Sequence, residues 1–282
     1  MKLDRRRRYY MVLDCETATL PYAQKFDGAD RQKIAIARPL IYDLGWQIID
    51  RQGRVYDKQN YLIAEVFSVP SVFNTAYYAS KRPIYLDRLK KGEIILTTWD
   101  EATKKLVEAM DVCYAVGAYN SMFDFKKAIP FTETYITQLY SPTFYDWEKS
   151  QEAFCDYILT HPHVNKDKNF NGEVFHFRGV DYPLFDLWGM SCEHLLNNDE
   201  YRELCDYNGW YSQSGKFYKT SAETTYRYIR KDNEFVESHT ALDDAIIESE
   251  IMKEILKPTV KNLKIGITYF PFRLVGKVET LE

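Results

Sequence analysis

The stretch Tyr9–Leu20, YYMVLDCETATL, decides how the rest of the chain is read. It runs apolar from Tyr9 to Leu13 and then sets Asp14 and Glu16 two residues apart, with Cys15 between them. The apolar run predicts a buried strand over 9–14. Alternation sends residues i and i+2 of a strand to one face, so the two carboxylates point together, roughly 6–7 Å apart. Repulsion and desolvation both oppose such a pair near an interior. Either a solvated strand edge or a bound divalent cation relieves it.

Outward from that strand, PLIYDLGWQIID (39–50) and RVYDKQNYLIAEVF (54–67) predict two more strands, joined by a tight turn at Gln52 and Gly53. A three-stranded meander thus opens the chain. TTWDEATKKLVEAM (97–110) predicts a helix. Thr98 and Glu101 form a capping box there, and Trp99, Ala102, Leu106 and Met110 line one face. VCYAVGAYN (112–120) then reads as a short apolar strand running into a second helix at SMFDFKKAI (121–129). Strand and helix in alternation imply an α/β layer arrangement. SHTALDDAIIESEIMKEILKP (238–258) is a long helix stopped by Pro258. Residues 131–235 are aromatic and turn-rich, with helical pieces near 145–158, 185–196 and 221–230. They read as an elaboration of one domain spanning 1–282, whose core is 9–130 and 236–258 and whose C-terminal extension is 259–282.

Composition narrows the class. A net charge of −4 excludes a strongly basic nucleic-acid coat, but not an enzyme that recruits its positive charge as metal ions. The five cysteines are widely spaced without a C-x-x-C pair, so a zinc knuckle or disulfide framework is not indicated, and reduced thiols are expected. The apolar run behind Arg5–Arg8 is too short for a signal or a membrane span, so a cytoplasmic protein with no membrane partner is expected.

Two further segments bear on the carboxylate pair. In VGAYNSMFDFKKA, Asp124 follows an apolar strand and a small-polar turn; alone, it reads as an acid complementing a helix N-terminus. In SHTALDDAIIE, His239 precedes two aspartates, which alone read as first-turn acids behind a Ser238 cap. Helical spacing puts His239 and Asp243 on one face and turns Asp244 away by about 140°. Spacing alone therefore selects Asp243.

Together, LDCET, AYNSMFD and HTALDDA resemble, in order, the three exonuclease motifs of the DnaQ-like DEDDh family of 3′–5′ exonucleases. About a third of the chain carries the resemblance. The stretches after Glu16 and between the second and third motifs are longer than in compact members. The resemblance implies a ribonuclease H-like fold: a mixed sheet, antiparallel meander then parallel strands, flanked by helices and carrying an inserted elaboration. It implies Asp14, Glu16, Asp124 and Asp244 as ligands of two Mg²⁺ or Mn²⁺ ions. Asp14 would touch both, Glu16 and Asp244 the one that activates water, and Asp124 the other. It implies His239 as general base, and so selects Asp244 over Asp243, which requires His239 to lie outside the regular helix. Thr17, Ala18 and Asn120 are the implied substrate-binding positions, and Asp186 in YPLFDLWGM a structural acid. The implied activity is release of 5′-mononucleotides from single-stranded or unpaired DNA, with a polymerase or other replication protein as a partner in trans. An exoribonuclease of the same fold and an inactive nucleic-acid-binding module are the alternatives. The basic, aromatic stretch Ile251–Lys277 is open to two readings, a phosphate-tracking surface or a solvated helix face followed by core aromatics. His161, His163, His176 and His194 lack partners at metal-ligand spacing.

Overall fold

The structure, a computed structural model, describes residues 8–21, 38–139, 172–257 and 263–278. Strand β1 (Tyr9–Ala18) is central, antiparallel to β2 (Leu40–Asp50), which in turn pairs antiparallel with β3 (Val55–Ile63). On its other side β1 pairs in parallel with β5 (Ala115–Ala118), and β5 with β7 (Val180–Asp186). Short β4 (Ile95–Thr97) and β6 (Val174–Phe177) flank the edges, giving the order β4-β3-β2-β1-β5-β7-β6. This is the expected mixed α/β sheet, antiparallel then parallel and flanked by helices, consistent with a ribonuclease H-like fold.

Strand alternation builds two cores on opposite faces of the sheet. Met11, Leu13 and Cys15 face one side, packing with Trp46, Leu106, Phe125 and Ile129. The helices on that side are α1 (Arg82–Lys91), α2 (Trp99–Met110) and α3 (Ile129–Leu139). Thr98 caps α2 as expected, its hydroxyl accepting from the Glu101 amide at 3.3 Å. Tyr10 and Val12 face the other side and meet Ile247, Ile251 and Ile255. A third cluster joins α4 (Asp199–Asn208) through Tyr201 and Cys205 to Trp210 and Val275. Then come α5 (Ala222–Arg230) and α6 (Ala241–Ile255).

The hairpin turn is closed by Asp50, whose carboxylate accepts from the Gln52 and Arg54 amides, with Gly53 at φ 75°. A left-handed φ favours glycine there.

Several expectations are corrected. Strand β1 does not stop at Asp14 but runs to Ala18, so the two acids lie within it. The stretch 131–235, read as elaboration, supplies β6 and β7 to the same sheet, because β7 is the parallel neighbour that β5 needs. The helical piece expected at 185–196 begins at Leu187, after β7, and passes into a π-turn at Cys192–Leu196. The piece near 145–158, Pro258, His161 and His163 lie outside the described residues. Four cysteines, Cys15, Cys113, Cys192 and Cys205, are free thiols. Among the described residues no helix is long and apolar enough to cross a membrane.

Candidate active site

The site forms where β1, β2 and the start of α6 meet. In the β1–β2 register Glu16 lies opposite Asp43 and Asp14 opposite Gly45. Residues directly opposite in an antiparallel pair share a face, so all four look toward α6. Gly45 is required there. A Cβ at that position would run into the Leu242 nitrogen and the Ala241 carbonyl carbon. Main chain therefore packs on main chain, and α6 approaches as closely as the backbone allows.

Asp43 fixes that approach. Its buried carboxylate accepts from the Ala241 amide at 2.9 Å, supplying a cap that Thr240, the N-cap residue, does not give with its own side chain. The other Asp43 oxygen accepts from the Asn60 side chain at 2.5 Å.

His239 precedes the helix with φ 51°, a left-handed backbone. This departure from helical geometry decides between the two aspartates. Nδ1 of His239 lies 3.9 Å from Asp244 and 3.8 Å from Glu237. Asp243 turns away to Arg88 at 2.5 Å and to the Ser238 and Thr240 hydroxyls, each at 2.9 Å. It ties Ser238 and Thr240, ahead of the helix, to Arg88 and stays outside the cluster. The imidazole stacks on Tyr78, ring centroids 4.3 Å apart and planes within 11°. Lys81 lies over the far part of this arrangement, its ammonium 4.6 Å from the Tyr78 ring centroid and bonded to the Ser238 carbonyl.

Asp124 enters from the second segment. Ser121–Phe123 form one helical turn, and Asp124–Ala128 a π-turn before α3. The carboxyl is buried beside Cys15.

Electrostatics ties these groups together. Burial, then the charges of Glu248, Asp124, Asp244 and Glu16, pushes Asp14 well above the usual carboxylate range. Burial and Asp244 push Glu16 to about 9. Burial pushes Asp124 to about 7, and burial with Glu237 pushes Asp244 to about 8. His239 moves down, first through burial and then through Lys81. Acids that hold protons against solution near neutrality are short of positive charge.

Glu16, His239 and Asp244 each offer a ligand atom within 4.8 Å of the others. Oδ1 of Asp124 and Oδ1 of Asp244 are buried without a hydrogen-bond partner. Buried carboxylate oxygens left bare in this way suit a hard divalent cation, which takes oxygen ligands.

Glu248 escaped the sequence reading. It is buried one helical turn beyond Asp244, and its carboxylate accepts from the Tyr119 amide at 3.1 Å. The available signal was its i+4 spacing from Asp244 amid isoleucines. Glu237, raised to about 7 by burial and then Glu223, was also missed. Asp186 has the structural place expected of it, accepting from the Ser121 amide at 3.3 Å and the Gly189 amide at 3.2 Å.

The substrate-binding positions separate. Thr17 is half-buried beyond a register shift in β1, and Asn120 is exposed at the head of the Asp124 turn. Ala18 is in the core, so its side chain cannot meet a substrate. His176 pairs with Asp181 at 2.7 Å at the surface, away from the acids. Comparison of the chain with protein-family models, with curated proteins and with solved structures gives no match.

Proposed function

We propose that the protein is a divalent-metal-dependent 3′–5′ exonuclease of the DnaQ-like DEDDh kind, acting on single-stranded or unpaired DNA. One observation carries the reading: acids from three distant segments meet around Asp14, with a histidine held outside the helix beside Asp244. A chain retains mutually repelling buried carboxylates at a cost unless something positive sits among them.

Asp14, Glu16, Asp124 and Asp244 are the residues that would hold two Mg²⁺ or Mn²⁺ ions. Bound there, such ions lower the pKa of water and offset charge on a phosphate. His239 supplies the proton acceptor. Its lowered pKa keeps the ring neutral at pH 7, the form that can take a proton from water. Tyr78 fixes the plane of the ring, so its orientation does not depend on substrate. Asp43 and Gly45 hold the helix start that presents His239 and Asp244 together.

The test is incubation of end-labelled single-stranded DNA and RNA with and without Mg²⁺, for the wild type and Asp14→Ala. Stepwise shortening from the 3′ end, dependent on the metal and abolished by the substitution, is expected. A wild type that shifts DNA in a gel but leaves every oligomer intact with Mn²⁺ would refute the reading in favour of a binding module.

A further inference from the structure

We propose that an aromatic cavity next to the acid cluster is a stacking site for the unpaired bases that precede the scissile nucleotide. The inference rests on the exonuclease reading for where the 3′ end lies. The cavity has a volume of about 390 Å³ and is lined by Asn120, Trp188, Tyr218, Lys219 and Phe272 among others. That size is within the range of ligand sites, about 300–1,000 Å³.

Tyr119 is the wall it shares with the acids. The Tyr119 amide donates to Glu248, while its hydroxyl donates to the Thr220 carbonyl at 2.9 Å, on the cavity lining. Asn120, the next residue, opens the turn that carries Asp124. Trp188 is locked in place, its amide donating to the Tyr119 carbonyl at 2.8 Å and its indole nitrogen to Thr220 Oγ1 at 2.9 Å. Facing it, Phe272 is nearly parallel, with centroids 6.1 Å apart and planes at 27°.

The aromatic surface continues outward. Phe270 lies 6.2 Å from Phe272 and is 58% exposed; Tyr269 is 62% exposed. Phe270 has φ 53°, an unfavourable backbone for a bulky residue. These rings are therefore not the core aromatics of the second reading of Ile251–Lys277. Arg273 lies 4.7 Å over the Phe270 ring, and Lys219 lines the cavity, so cations accompany the rings. Flat rings with interspersed cations are what a flexible strand of unpaired bases requires, and they take any base because every base has a π-face. A second cavity, of about 430 Å³ and lined by Trp46, Tyr56 and Lys105, has neither Tyr119 nor Asn120, the links to the acids, in its lining. Continuity with the acid cluster singles out the first.

The test compares the wild type, Phe270→Ala and the Phe270→Ala/Phe272→Ala double variant. Affinity for fluorescent oligothymidylates, short and long, is measured by anisotropy with Ca²⁺ in place of Mg²⁺. Hydrolysis of the p-nitrophenyl ester of thymidine 5′-phosphate is measured with Mn²⁺. The double variant should bind the long oligomer at least about 10-fold more weakly, with an unchanged rate on the ester, which is too small to reach the rings. The exposed Phe270→Ala change alone should cost about 5-fold, and decides the matter if the double variant fails to fold. Wild-type affinity for the long oligomer in Phe270→Ala and in a folded double variant would overturn the stacking site, whatever the nuclease assay shows. Weakened binding in variants of a protein that cleaves nothing would keep the stacking site and end the exonuclease reading.

Discussion

Asp244→Asn removes one negative site from the cluster without changing its shape, and its effect on stability has a sign opposite to that of most buried substitutions. The unfolded aspartate loses its proton near 3.8 and the folded one near about 8. Stability attached to this group is thus complete below the lower value and falls as pH rises through the interval. At about 1.4 kcal/mol per pH unit, the penalty at pH 7.5 has a ceiling of about 5 kcal/mol. A proton on one acid relieves its neighbours, so removing a single site recovers a fraction, about 1–2 kcal/mol. For a chain of this length that corresponds to about 2–8 °C in Tm. Thermal denaturation in EDTA at pH 7.5 should therefore show Asp244→Asn melting above the wild type. The gap should narrow to about a third at pH 5, and the wild type itself should melt higher at pH 5 than at pH 7.5. Mn²⁺ should raise the wild-type Tm at pH 7.5 and leave the variant nearly unmoved. A variant that melts below the wild type in EDTA at pH 7.5 would sink the reasoning, because Asp244 would then be a favourable structural partner.

Asp14→Asn should lower the rate of 3′ shortening by about 10³-fold or more, in keeping with loss of a group that stabilises the transition state, while oligonucleotide affinity changes little; gel quantitation and anisotropy check the two halves. Asp243→Asn, which loosens the bonds to Arg88, Ser238 and Thr240, should lower stability in a thermal melt by about 1–2 kcal/mol and reduce turnover far less than Asp244→Asn. Gly45→Ala should cost about 3 kcal/mol or more and most of the activity, because the new methyl pushes the Ala241–Leu242 peptide off the sheet; a melt together with the end-labelled assay reads both.

The sequence made the central elements legible where periodicity was strong. Leu40–Asp50, Trp99–Met110 and the helix from Ala241 all lie inside the segments their patterns predicted. Asp14, Glu16, Asp124, His239 and Asp244 were legible through motif order, and the structure gathers them. Strand β1 was cut short in the reading because polar residues after Leu13 look like a strand end unless the fold supplies a reason to bury them. Strand β4 has three residues, too few to show a period, and β6–β7 sit in a turn-rich stretch whose alternation is broken by Pro183. Asp43 was invisible as an anchor because its partner, the Ala241 amide, is 198 positions away. Local patterns report propensity, whereas that contact exists only once the sheet and the helix have met.

The wide turn at Asp124–Ala128 makes chain length there a matter of angular phase. At its first residue, Asp124 is aimed at the acids; after it, Thr132 accepts from the Ile41 amide at 3.0 Å, tying α3 to the head of β2. An ordinary helix advances about 100° per residue, so the two aims are compatible only because the looser coil absorbs the difference. Tightening this turn into an ordinary helix with all its residues kept would rotate everything downstream by that angle. Either the carboxyl or the threonine would then point the wrong way, with every side chain of the cluster still in the sequence.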